Sequence, residues 1–502
     1  MSQVQALPLT YLFHSAGLTA IDPVSERISV SGVTESTESL GPGMLFVARK
    51  GIHSDGHAFL QAAARKGASA AIVERRGLSV NGFSCIRVEN TTEALGKLCA
   101  AFYDNPSRRI RLIGVTGTDG KTTTSHFIES ILGKAGKKVA VIGTLGSKIK
   151  NKVYPTENST PPPAKLQWLL SQAVMESNEY AVLEVSSHAV VQQRLAGCRF
   201  FGGVLTNVAV DHLELHDSIK NYRQAKRDFF RRELLADQNN SRPWQVLNFD
   251  NSVGKYLSAN HGVDSIHYSL DKDTPIRALN IVSQKGRTDF TAVIGEQSMP
   301  VRLRMTGGYN VRNALAAVGV GIACDIPLEM IKAGLEAVEN ISGRFEYVDC
   351  GMPFDVVIDY AHTPQAVWNI MKQTRQMKYG RVIVVFSCPG DRWIGKRTLI
   401  GQIVGRHADL AVVTTDNPGF EDPSVVAREI IRGISCYPPR EGYMIELDRA
   451  RAVEMALGAA RTRDLVLLLG KGHEEYQLVR GSKLPFSEKE TVRQFEKGFF
   501  KG

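Results

Sequence analysis

Cysteine is sparse in this sequence and shows no pairing pattern. The seven cysteines (Cys85, Cys99, Cys198, Cys324, Cys350, Cys388 and Cys436) are scattered without a Cys-x-x-Cys pair. That argues against a zinc knuckle and against a disulfide framework, and predicts reduced thiols in a cytoplasmic chain. No 18-residue apolar run is present, and the start MSQVQALPLTYLF lacks a basic region followed by a long apolar core. Neither a membrane span nor an export leader is therefore expected. Basic blocks interleaved with aromatics are missing as well, so the net charge of +10 suits a polyanionic small substrate such as a nucleotide sugar better than nucleic acid. Repeats and low-complexity segments are absent too.

One further absence is local. Residues 111 to 124 read RLIGVTGTDGKTTT, an apolar run leading into glycines, a lysine and hydroxyl side chains, as when a strand hands over to a phosphate-cradling turn and a helix. The commonest such loop has a glycine five residues before its Gly-Lys pair, and Val115 stands there. What remains is a contracted loop, Gly117-Thr118-Asp119-Gly120-Lys121-Thr122, followed by Thr123. Backbone amides and the Lys121 ammonium would hold terminal phosphates, with the Thr122 hydroxyl on Mg²⁺. A glycine-rich turn opening a helix is the bland alternative; the strand before and the helix after favour the nucleotide.

At 502 residues, 43% hydrophobic and 22% charged, the chain has room for three globular domains. MLFVA, AAIVE and CIRVE predict a small α/β unit over 1–107, closed by the turn residues Asp104-Asn105-Pro106-Ser107. KVAVIGT, YAVLEVSS and GGVLTNV, alternating with helix-period stretches, predict a parallel sheet with helices on both faces over 108–341. A new βα series, FDVVIDY, RVIVVFS, DLAVVTTD and DLVLLLGKG, fills 342–502. In such sheets ligands gather at the carboxyl ends of the strands. Glu184 ends one strand and suits either Mg²⁺ or a helix cap; His188, His212 and His216 offer imidazoles.

Ten motifs occur in order: GVTGTDGKTTT, ENSTPP, EVSSHAVVQQR, LTNVAVDHLELH, YNVRNALAA, SGRFE, DYAHTP, GDRWIGKR, TDNPGFEDP and GKGHEEYQ. Together they resemble the Mur ligases, ATP-dependent enzymes that add amino acids to the peptidoglycan precursor, most closely the MurE type that adds the third residue. The resemblance implies an N-terminal uridine-binding domain, a central ATPase domain with a contracted phosphate loop and a C-terminal Rossmann-like ligase domain. It implies that ATP is held by residues 117 to 123 with Asn310, Asn313, Arg344 and Asp359, and that Thr122, Glu184, His212 and Lys226 serve two Mg²⁺ sites. Lys226 would be carbamylated; read without the family, a lysine between Arg223 and Arg227 is a solvated helix face, although neighbouring cations also depress an amine's pKa. Asn310 and Asn313 could otherwise cap a helix, and Asp359 could form a turn.

For the precursor, UDP-MurNAc-dipeptide, the resemblance implies His53 and Ser54 near the uridine and Ser159, Thr160, Ser186, Gln192 and Arg194 along the muramoyl-dipeptide. The family's Asp-Ser-Arg before the MLFVA strand is here Ser36-Thr37-Glu38, so a glutamate stands where the family has an arginine at the diphosphate end. For the free amino acid it implies Arg392 at the α-carboxylate, with Asp416, Asn417, Gly470 and Glu474 around the side chain. Relatives that add meso-diaminopimelate carry an arginine in Asp-Asn-Pro-Arg; here Gly419 stands in its place, so L-lysine is the expected residue and Asp416 and Glu474 are expected to be free for its ammonium. The overall expectation is a cytoplasmic monomer with no nucleic-acid or membrane partner. A Mur-type ligase acting on a different amino acid or precursor, a precursor-binding homologue without catalysis, and a P-loop ATPase of another class remain as alternatives.

Overall fold

The computed structural model describes residues 6–51, 54–235, 243–260 and 262–499. Alternation of β-branched and aliphatic residues along the strands sorts them onto two faces. In the phosphate-loop strand Arg111–Thr116, Ile113 and Val115 join one buried cluster with Val182, Val204 and Val246, while Leu112 joins another with Leu183, Leu205 and Leu247. With a side-chain period of two, apolar residues at every position require both faces to be covered. Helices Lys121–Lys134 and Gly308–Ala323 cover the first face through Phe127, Ile131, Val311 and Leu315, and Pro163–Met175 helps cover the second through Leu166, Leu169 and Leu170.

Three α/β units follow along the chain. The first carries a four-stranded parallel sheet, Val33–Thr34, Leu45–Val47, Ala70–Val73 and Cys85–Arg87. The second carries an 11-stranded sheet in which Arg111–Thr116 lies between Tyr180–Val185 and Phe200–Leu205. Its seven strands from Val139–Gly143 to Ile276–Gln284 are parallel neighbours, as expected. The margins correct the all-parallel expectation: a hairpin of Gly146–Ile149 and Lys152–Tyr154 extends one edge, and Ile276–Gln284, Arg287–Ile294 and Gln297–Leu303 form an antiparallel meander at the other. Left-handed glycines, Gly286 (φ +66°) and Gly295 (φ +58°), make its tight turns. The third unit carries six strands in the order Glu346–Val348, Asp355–Asp359, Leu465–Leu469, Val382–Phe386, Leu410–Val413 and Tyr443–Ile445, parallel except for the first. No helix among the described residues is long and apolar enough to cross a membrane.

Candidate functional site

The phosphate loop leaves the middle of the central sheet, so the ends of both neighbouring strands flank it. Helix Lys121–Lys134 starts at the loop lysine, and its free amides make that end suited to anions. Gly120 adopts φ +85°, which glycine takes without strain; a Cβ there would run into Asn313 Oδ1, and one on Gly117 into Thr206 Oγ1. Lys121 Nζ donates to the carbonyls of Gly117 (2.9 Å) and Thr118 (2.8 Å). Burial lowers its pKa, against the pull of Glu184 and Asp119. The Thr118 hydroxyl meets the Tyr222 hydroxyl at 2.9 Å, Asp119 N donates to Asn207 Oδ1 at 2.8 Å, and Thr123 is buried in the first helical turn.

Glu184 is buried at the end of its strand. Its Oε1 accepts from Thr144 N (2.9 Å), and its Oε2 accepts from the hydroxyls of Thr144 (2.8 Å) and Thr122 (3.1 Å). A carboxylate and two hydroxyls converging beside the phosphate loop are hard oxygen donors, a set that fits Mg²⁺. The rest of the expected metal set is placed in two further groups around the same loop. His212, left-handed at φ +54°, lies 3.2 Å from both Glu214 and Asp211, and His188, His212 and Glu214 have ligand atoms within 4.8 Å of one another. Burial and His212 push His188 down to about 3, and His216 falls to about 4 for the same reasons, so both imidazoles are neutral.

Lys226 is not a solvated residue. Helix Ile219–Asp228 turns Tyr222, Ala225 and Lys226 inward, and Lys226 Nζ donates to Gly117 O (3.0 Å) and Thr116 Oγ1 (3.2 Å). Its pKa lies well below the usual range, through burial first and Lys121 second. Neither flanking arginine, which the sequence suggested as the cause, is among the causes; Arg223 is exposed and Arg227 stacks on Tyr256 at 3.8 Å.

Five of the residues assigned to the precursor, Ser159, Thr160, Ser186, Gln192 and Arg194, join one network through Thr144 and Glu184. Arg194 donates to Thr160 O (2.7 Å) and, through Nε and Nη2, to Gln192 Oε1. Thr160 Oγ1 donates to Glu184 O (2.7 Å) and lies 3.2 Å from Ser186 Oγ; the Ser159 hydroxyl accepts from Thr144 at 2.8 Å. Ser54 is exposed on the first unit, and His53 lies outside the described residues.

The C-terminal unit closes over the loop. Arg344 Nη2 donates to Thr122 Oγ1 (3.1 Å) and the Thr363 hydroxyl to Asp119 Oδ1 (3.2 Å). Asp359 accepts from the amides of Phe345 (2.6 Å) and Ala361 (2.7 Å), which fixes the segment bearing Arg344, and burial raises its pKa to about 6. Asn310 and Asn313 sit inside helix Gly308–Ala323 rather than capping it; Asn310 Nδ2 donates to Thr306 O at 2.9 Å.

Around the expected amino-acid site, the structure corrects one assignment. Glu474 is occupied: Lys471 Nζ (2.6 Å) and Asn417 Nδ2 (2.8 Å) donate to Oε2, and Tyr360 to Oε1. Asp416 is ion-paired but not hydrogen-bonded through Oδ1. It is buried, and Lys471 stands 3.7 Å away. Gly470 (φ +109°) faces it, and a Cβ there would lie 3.1 Å from Asp416 Oδ2. Gly419 is left-handed at φ +61°, and a Cβ would run into the Asp391 carboxylate. Arg392 Nη1 is 3.5 Å from Glu214 Oε1, across the boundary between units. Thr144, Glu214, Thr363 and Lys471 escaped the sequence reading; Thr144 ends the segment KVAVIGT and the other three lie inside quoted motifs, and only the fold shows what each meets.

Three family models match the chain in order: Mur ligase family, catalytic domain (29–103), Mur ligase middle domain (115–321) and Mur ligase, glutamate ligase domain (343–472). The chain is 40% identical to a Geobacillus thermodenitrificans protein over 90% of this chain and 92% of that one, and 35% identical to a Geobacter metallireducens protein over 93% and 94%. Both are named UDP-N-acetylmuramoyl-L-alanyl-D-glutamate–2,6-diaminopimelate ligase. A solved structure of a ligase of that name superposes with a TM-score of 0.68 at 25% identity, covering 99% of this chain and 100% of that chain. A phosphate loop closed over by a second α/β unit, in a chain that matches these ligases nearly end to end, thus has one reading: the protein belongs to the Mur ligase family, in its MurE type, and is an ATP-dependent acid–amino-acid ligase.

Proposed function

We propose that this ligase joins a free amino acid to UDP-MurNAc-L-Ala-D-Glu through an acyl phosphate, and that it prefers L-lysine to meso-diaminopimelate. One observation supports the reaction most directly: Glu184 touches both sides of it. Its side chain receives Thr122 of the phosphate loop, and its carbonyl receives Thr160 of the precursor network. A carboxylate is inert to amines because its leaving group is poor. Transfer of the γ-phosphate to the D-Glu side-chain carboxylate provides a good one, and the amine then displaces phosphate.

The chain's own groups divide the task. The helix amides and Lys121 orient the phosphates, Arg194, Gln192 and Thr160 hold the dipeptide, and Arg344 and Thr363 close the site from the C-terminal unit. Thr122, Glu184 and His212, with Lys226 as its carbamate, would hold Mg²⁺. When bound, Mg²⁺ offsets negative charge on the transferring phosphoryl group. Heavy oxygen placed in the D-Glu side-chain carboxylate should appear in released phosphate after one turnover; its complete retention in the peptide would eliminate the acyl phosphate.

The preference for lysine rests on Gly419. Without a guanidinium there, a distal carboxylate loses a charge-assisted partner, a deficit of roughly 1.5 to 3 kcal/mol or about 10- to 100-fold. Asp416 Oδ1, which accepts no hydrogen bond and has Lys471 at 3.7 Å, offers carboxylate charge to a terminal ammonium. A second reading, diaminopimelate, is favoured by the names of the relatives and by Arg480, whose amide donates to Gly419 O at 2.7 Å and whose side chain is exposed. Comparison of kcat/KM for the two amino acids in the wild type and in Arg480→Ala separates the readings. Lysine should win in both enzymes; a wild-type preference for diaminopimelate that collapses in Arg480→Ala establishes the second reading.

A further inference from the structure

Glu214 belongs to the central unit, two residues after His212, yet both of its oxygens engage the C-terminal unit. Oε1 lies 3.5 Å from Arg392 Nη1 and 3.2 Å from His212 Nδ1, and Oε2 accepts from Trp393 N at 3.1 Å. The loop it grips is also stitched to residues 417–421, which include Asn417 of the proposed amino-acid site. Gly390 N donates to Asn417 O (2.8 Å), Phe420 N to Asp391 Oδ2 (3.0 Å), and Asp391 N to Glu421 Oε1 (2.6 Å). Arg392 is thus an exposed guanidinium on a loop tied to residues 417–421, with a protein carboxylate against it.

Every amino-acid substrate brings an α-carboxylate, the same chemical group that Glu214 already presents to Arg392. We infer that Glu214 is a stand-in for the substrate's α-carboxylate, holding Arg392 and the 390–393 loop in place until the amino acid displaces it. The inference rests on the reading of Arg392 as the α-carboxylate receptor. Two consequences follow from charge alone. Incoming amino acid competes with Glu214, which weakens its binding, and the contact that it breaks also runs to His212, so amino-acid arrival is felt beside the phosphate loop. Glu214 is a positioning residue in this scheme.

Glu214→Gln keeps the shape and removes the charge. KM for L-lysine and for meso-diaminopimelate should fall by about three- to fivefold, the scale of a partly exposed ion pair. Arg392→Lys should raise both amino-acid KM values. Equilibrium dialysis of the labelled amino acids against the full-length variants gives the same comparison if turnover is too slow. If Arg392→Lys raises KM and Glu214→Gln leaves it unchanged or raises it, the stand-in is refuted while the receptor reading survives. If Arg392→Lys leaves amino-acid affinity unchanged, the receptor reading falls and the stand-in with it.

Discussion

Lys226→Ala is expected to lower kcat by on the order of 10³-fold, equivalent to ~4 kcal/mol of transition-state stabilisation. The side chain is almost wholly buried, hydrogen-bonded to Thr116 and Gly117 at the root of the phosphate loop, with Lys121 as the neighbouring cation. Burial depresses its pKa, so at neutral pH a larger share of the amine is unprotonated and nucleophilic towards carbon dioxide. A carbamate formed there would be an anion beside Lys121, replacing a repulsion with an attraction and supplying an oxygen donor near the loop. Two measurements separate this role from simple bracing of the strand end. Enzyme equilibrated with ¹³C-labelled bicarbonate should show a carbamate carbon resonance that is missing in Lys226→Ala, and short carboxylic acids should restore part of the activity by occupying the void. Full activity in Lys226→Ala refutes the role.

Glu184→Gln should cost about 10²- to 10³-fold in kcat and displace the Mg²⁺ activation curve to higher concentration. The substitution preserves volume but turns one oxygen into a donor, facing the hydroxyls of Thr122 and Thr144 or the amide of Thr144, all of which now donate to the carboxylate. Precursor affinity should change little, because the Thr160 contact is to the main-chain carbonyl of Glu184. A titration of activity against Mg²⁺, with the precursor KM measured in parallel, checks both parts; an unshifted Mg²⁺ curve with the precursor KM raised instead would move Glu184 out of the metal set.

Which of these residues could be read from the sequence depends on how local their signal is. Glu184 closes an unbroken apolar strand, and a strand end in a parallel sheet is where ligands gather, so one dimension suffices. Lys226 has the opposite character. Arg223, Arg227 and Asp228 surround it with charge, and only the three- and four-residue spacing of Tyr222, Ala225, Lys226 and Phe229 places it on an inward stripe. The antiparallel meander was legible in the alternation of RTDFTAVI and QSMPVRL, but a βα reading of the middle third leaves no place for hairpins. Glu214 and Trp393 lie 179 residues apart, in units whose docking no sequence pattern encodes. The occupation of Glu474 by Lys471 was hidden for a different reason: both were in view in GKGHE, but a spacing of three says nothing of direction until a turn fixes it.

Arg344 and Thr363 touch Thr122 and Asp119 from the far side of a domain boundary. A ligand seated on that loop therefore acts as mortar between two bodies, and by reciprocity whatever separates the bodies weakens the ligand's hold by the same free energy. Nucleotide affinity in this enzyme is accordingly a property of the joint: a substitution on the C-terminal surface that never nears a phosphate can raise the ATP dissociation constant, and saturating ATP can hide a hinge defect that appears only when the nucleotide runs low.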